Sequence, residues 1–138
     1  MMRVLGVDPG TRKVGLAVVD SAAEAPLALE IVSGEGAPER AAALAAQYAV
    51  EAVALGRQTG ARAVAEGLRR ALAAGPTLRL VDERHSSYEA RALYWRLNPP
   101  RGLARLLPEG MRVPPEPIDA YAAAVIARRF LTCRGVAK

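Results

Sequence analysis

Lysine and cysteine are almost missing from this chain. Its one cysteine, Cys133, allows neither an intrachain disulfide nor a thiolate metal cluster, and no histidine lies near it in sequence to activate a thiol. That usage fits a reducing cytoplasm. No apolar run approaches the roughly 20 residues that a membrane span needs, and Met1-Met2-Arg3 passes straight into Val4 and Leu5 without the pattern of a secretory leader. A soluble, cytoplasmic protein with no membrane contact is therefore expected. Aromatic residues are few: Trp95, Phe130 and four tyrosines are too scattered to mark a base-stacking surface and are assigned to the core or to helix faces.

What is abundant is alanine and arginine. The chain has 138 residues, room for one domain with a real core and too little for two, so the expectation is a single domain over 1–138 with any site built inside it. Its net charge is +5, and with Lys13 and Lys138 the only lysines nearly all of the positive charge is arginine. An excess of cations favours a polyanionic partner, nucleic acid before others. A genome biased toward arginine and alanine explains the same composition, so charge supports that partner without establishing it.

Hydrophobic periodicity orders the chain. Arg3 to Asp8 and Val14 to Val19 favour strands, and the short connector Pro9-Gly10-Thr11-Arg12-Lys13 makes them a hairpin. Leu27 to Ser33 reads as a third strand, and Pro38 opens a helix that runs to about Tyr48. Glu51 to Leu55 is a short, continuously apolar strand. Gly60 to Ala73 is helical, Leu78 to Val81 is a fifth strand, and a further helix spans Ser86 to about Leu97. In Ser86-Ser87-Tyr88-Glu89 the serine and the glutamate have the spacing of a capping box. Asn98 to Pro117 is rich in proline, carries Arg101, Arg105 and Arg112, and holds no sustained period, as expected of a flexible loop. A last helix begins near Pro117, with Ile118, Tyr121, Ala122, Val125 and Ile126 facing inward. The order β-β-β-α-β-α-β-α-α predicts an α/β fold: a five-stranded mixed sheet, antiparallel through its first three strands and parallel through the last two, flanked by helices. This is the RNase H-like arrangement.

Three acidic positions can carry chemistry. Asp8 ends the first strand in Asp8-Pro9-Gly10, which can aim a carboxylate at a metal or a phosphate and is equally ordinary turn chemistry. In Val81-Asp82-Glu83-Arg84-His85 two acids follow the fifth strand, at the kind of strand end where sites in α/β sheets gather. Adjacent residues point to opposite sides, so Glu83 is the choice and Asp82 the reserve. Asp119 lies in the first turn of the last helix, where the helix dipole favours a carboxylate for a ligand and for stability alike. Three carboxylates brought together need a cation, and Mg²⁺ or Mn²⁺ takes oxygen ligands and can drive phosphodiester hydrolysis. Arg12, Lys13, Arg84 and His85 stand beside these acids in sequence and are candidates for holding phosphate oxygens.

The run from Arg3 to Ala17 contains Asp8-Pro9-Gly10-Thr11-Arg12-Lys13-Val14-Gly15, which resembles the opening D-x-G-x-(K/R)-(K/R)-x-G motif of the YqgF/RuvX family. Val81-Asp82-Glu83-Arg84 resembles that family's D-E-R segment, and Ile118-Asp119-Ala120-Tyr121-Ala122-Ala123 its C-terminal D-x-x-A-A helix. Val53-Ala54-Leu55-Gly56 is similar to its V-G-x-P region, with Arg57 and Gln58 in place of the usual proline, and His85 is unusual where it stands. The resemblance covers essentially the whole chain. It implies a metal-dependent nuclease of RNase H-like fold acting in 5′-end maturation of pre-16S rRNA, with a ribosomal RNA precursor, and with it ribosomal particles, as partners. It also maps Asp8, Glu83 and Asp119 onto the acidic, metal-holding site. The alternatives are a Holliday junction resolvase acting on branched DNA and a nucleic-acid-binding module without catalysis. A nucleotide-binding, kinase-like protein would need a second phosphate loop and an adenosine pocket, for which the chain has neither motif nor length.

Overall fold

A computed structural model describes residues 2–10, 12–57, 61–72, 75–82, 86–108, 111, 114 and 117–136. β1 (Arg3–Pro9) and β2 (Lys13–Asp20) pair antiparallel, with Asp8 opposite Gly15 and Gly6 opposite Ala17. β3 (Ala28–Ser33) continues the meander against β2. On the other side of β1 the chain adds β4 (Ala52–Gly56) and then β5 (Thr77–Val81), both parallel, which gives the order β3-β2-β1-β4-β5. β1, β4 and β5 therefore all end on the same edge of the sheet. The mixed five-stranded sheet is the one the sequence order predicts.

Helices cover both faces, so the central strands are apolar throughout rather than alternating. α1 (Ala37–Tyr48) and α2 (Ala61–Ala71) cover the face formed by Leu5, Val7, Val14, Leu16, Val18, Val53 and Leu55. α3 (Ser86–Leu97) and α4 (Asp119–Val136) cover the face that holds Val4, Ala17, Val19, Ala52 and Ala54. One face is filled by branched side chains and the other by small ones. On the small-residue face α4 rests on strand backbone. A Cβ at Gly6 would lie 1.9 Å from the Ala123 carbonyl oxygen, and one at Gly15 would lie 2.1 Å from that of Asp119. Only glycine allows this approach.

Edge contacts complete the frame. Arg40 on α1 forks onto the Glu30 carboxylate of β3 through two hydrogen bonds of 2.7 and 2.6 Å, the bidentate geometry in which guanidinium–carboxylate pairs are strongest. One expectation is revised. Pro9 belongs to β1 and pairs with Val14, so the hairpin connector is shorter than the sequence reading. Within the expected loop, Gly102–Leu106 form a 3-10 turn with Leu103 and Leu106 exposed. Among the described residues no helix is long and apolar enough to cross a membrane.

Candidate active site

The register of the hairpin is what assembles the site. Asp8 shares a face of β1 with Val4 and Gly6, the face that α4 covers, and it pairs directly with Gly15. Because Gly15 lies under the backbone of Asp119, the first residue of α4, the two acids come to one cleft although they stand at opposite ends of the chain. Both are half-buried. They line one open cleft of about 460 Å³ together with Pro9, Gly10, Arg12, Lys13, Ser86 and Ser87. Arg12 and Lys13 are exposed at its rim. The structure thus gathers Asp8, Asp119, Arg12 and Lys13 as the sequence reading expects.

Glu83, Arg84 and His85 lie outside the described residues. Asp82 is exposed and lines a different groove, between α3 and α4, where its backbone carbonyl accepts a hydrogen bond from Arg129 at 2.9 Å. Glu89 does not play the capping role expected of it: its carboxylate takes the guanidinium of Arg129 on α4, and α3 already begins at Ser86. Ser86, only 7% exposed, and Ser87 are the cleft residues that sequence reading missed. The capping pattern disguised them, and no motif distinguishes a capping serine from one that also lines a cleft.

Among the described residues no three acidic, histidine or cysteine side chains form a ready ligand set. Asp8 and Asp119 supply two carboxylates, and Ser86 and Ser87 place hydroxyls on the same cleft. An all-oxygen donor set of this kind suits a hard divalent cation, Mg²⁺ or Mn²⁺, better than a thiolate-seeking one.

Comparison with known proteins follows the same lines. No family model matches the chain. A protein of Pelotomaculum thermopropionicum named "Putative pre-16S rRNA nuclease" is 30% identical over 149 aligned positions, spanning 97% of this chain and 89% of that protein. The chain belongs to the YqgF/RuvX nuclease family. Among solved structures, RuvC of Thermus thermophilus superposes with a TM-score of 0.68 at 18% identity, covering 97% of both chains. The same organism's RuvC in complex with a Holliday junction substrate gives a TM-score of 0.64 at 21% identity over 99% of this chain and 96% of that one. At those identities the likeness is one of fold, and the fold is RNase H-like. For a YqgF/RuvX member, the motif around Asp8 and the one around Asp119 are thus two walls of a single cleft.

Proposed function

We propose that this chain is a single-domain, metal-dependent nuclease that hydrolyses phosphodiester bonds in the 5′-end maturation of pre-16S rRNA, with Asp8, Asp119 and Glu83 holding Mg²⁺ or Mn²⁺. The observation that carries the reading is the convergence of Asp8 and Asp119 on one cleft with two cations at its rim. The ribosomal substrate is inferred from the name of the relative in Pelotomaculum thermopropionicum. Support for Glu83 is its position two residues beyond β5, whose last residue pairs with Gly56 on the sheet edge where β1 also ends.

When bound, the ion acidifies a water and offsets the charge that develops on the phosphate. The protein's part is positioning. Asp8, at a strand end, and Asp119, at a helix start, would hold the cation. Arg12 and Lys13 hold phosphate oxygens and set where the scissile phosphate rests, and Arg84 and His85 are assigned the same task. The hydroxyls of Ser86 and Ser87 add neutral donors on the α3 side.

Asp8→Asn tests this directly, because it removes a ligand charge and keeps the shape. Labelled single-stranded RNA, a pre-16S 5′-leader model, single-stranded DNA and a four-way DNA junction are incubated with Mg²⁺ or Mn²⁺. Expected is metal-dependent cutting of the RNA substrates, reduced at least a hundredfold in Asp8→Asn with circular dichroism unchanged. Cutting of the junction alone would move the assignment to a resolvase. Wild-type rates in the variant would remove Asp8 from the site.

A further inference from the structure

Arg57, Arg62 and Arg69 line a second cleft, of about 330 Å³, with Ala61, Ala65 and the flank of Leu80. All three arginines are exposed, and none has an ion pair or a side-chain hydrogen bond among the described residues. Glu66 lies one turn from Arg62 on α2 but pairs with none of that helix's arginines, Arg62, Arg69 and Arg70, and does not line the cleft. The larger groove between α3 and α4 is different. There Arg129 is held by Glu89 and by the Asp82 carbonyl, and Arg128 by the carbonyls of Ala23 and Glu24. Arg128 and Arg129 thus have acceptors within the fold, whereas Arg57, Arg62 and Arg69 have none among the described residues. Guanidinium groups clustered without counter-charges repel one another, and an anion between them relieves that repulsion.

Position narrows the anion's identity. β4 runs parallel to β1 with Leu55 beside Val7, so Arg57, which follows β4, leaves the sheet on the edge where Asp8 stands, one strand away. Neighbouring strands are about 4.8 Å apart. Arg57 is tied to that edge by its backbone N–H, which donates to the Val81 carbonyl at 3.1 Å. Arg62 and Arg69, seven residues apart on α2, share a helical face at a spacing of roughly 10 Å, a rise of about 1.5 Å for each residue. The cations therefore lead from the strand ends beside the Asp8 cleft down the α2 face of the sheet. Leu80, 49% exposed among them, adds apolar surface of the kind that sugar and base edges cover.

We propose that Arg57, Arg62 and Arg69 form a backbone track that grips phosphates of the substrate strand flanking the one held at Asp8 and Asp119. The proposal rests on the reading of the protein as a nuclease. The track explains what a basic cleft whose arginines have no partner among the described residues does on a face that carries neither Asp8 nor Asp119.

The test is Arg62→Gln/Arg69→Gln, which keeps good helix formers on α2. Binding of a fluorescein-labelled single-stranded oligonucleotide, as RNA and as DNA, is titrated across NaCl concentrations without divalent metal, and cleavage kinetics are run with metal. With two phosphate-binding guanidiniums removed, the slope of log K against log salt should fall by about 1.4 for a single strand. Affinity at low salt should drop at least tenfold, with the loss in cleavage falling on KM rather than kcat. Arg79→Gln removes one charge of the same kind from the opposite face of β5 and should leave the slope nearly unchanged. An unaltered slope in the double variant, or the same fall per charge in Arg79→Gln, would overturn the track. If the wild-type protein bound no oligonucleotide at all, the nuclease reading would fail, and the track with it.

Discussion

A single methyl group at position 15 tests how the two carboxylates are brought together. The Cβ of Gly15→Ala would sit 2.1 Å from the Asp119 carbonyl oxygen, so the start of α4 has to move. Overpacking of this kind costs about 1–3 kcal/mol. Displacing a proposed ligand such as Asp119 by around an ångström should lower rates by up to the order of a hundredfold. Urea unfolding and cleavage of the same RNA substrate should show both losses, with activity falling more than the stability change explains. Gly34→Ala, whose Cβ would meet nothing nearer than Arg12 at 3.7 Å, should do neither. At this scale the site was half legible in the sequence. Asp8, Arg12, Lys13 and Asp119 belong to motifs legible in the sequence, and all four line one cleft. Ser86 stood in a pattern with a sufficient local explanation, and only the approach of α3 to the β1–β2 hairpin shows that it faces a cleft. Gly15 looked like one member of a motif, while its physical task depends on contact with a helix distant in sequence.

Among the elements, α4 bears the most on the fold. It lies between the sheet and α3, and Ala122, Ala123, Ala124, Ile126 and Ala127 are all buried. Ile126, fully buried, is its largest inward side chain of this group; Ile126→Ala should cost about 2–5 kcal/mol, read as a lowered urea midpoint with an unchanged m-value. Helical period in the sequence placed Ile118, Tyr121, Ala122, Val125 and Ile126 inward, and they are buried or packed against the core. The burial of Ala123, Ala124 and Ala127 was not visible there, because alanine suits a solvated helix face and a tight helix–sheet contact equally well. The strands were easier. β4, buried at every position, is too short and too uniformly apolar for a helix, and its pairing beside β1 follows from the alternation of strands and helices. Asn98 to Pro117 offered no period, and the 3-10 turn inside it is too short to impose one.

Across the whole molecule, acid should be the weak side of stability. Asp20, 9% exposed at the end of β2, accepts hydrogen bonds from the Ala22 backbone N–H at 2.8 Å and from Arg3 at 3.1 Å, which hold its carboxyl below the usual range. The Arg40 guanidinium does the same for Glu30. Carboxyls held low in the folded state stabilise it at any pH above their ordinary values near about 4, and that contribution is lost as pH falls through the lower, folded values. The thermal midpoint should therefore be level from about pH 5 upward and drop below about pH 4. Asp20→Asn should lower the plateau and flatten the drop, and an acid limb unchanged in the variant would show that Asp20 contributes nothing to it.

The union of a first-hairpin aspartate with one from the last helix also has a temporal consequence. During synthesis the β1–β2 hairpin emerges long before α4, so a growing chain displays the basic connector and one carboxylate with no second wall to the cleft. Contacts so far apart in sequence are the slow ones to form. With Asp8 and Asp119 as the proposed ligands, the nuclease becomes able to cut only when α4 has closed over the first strands.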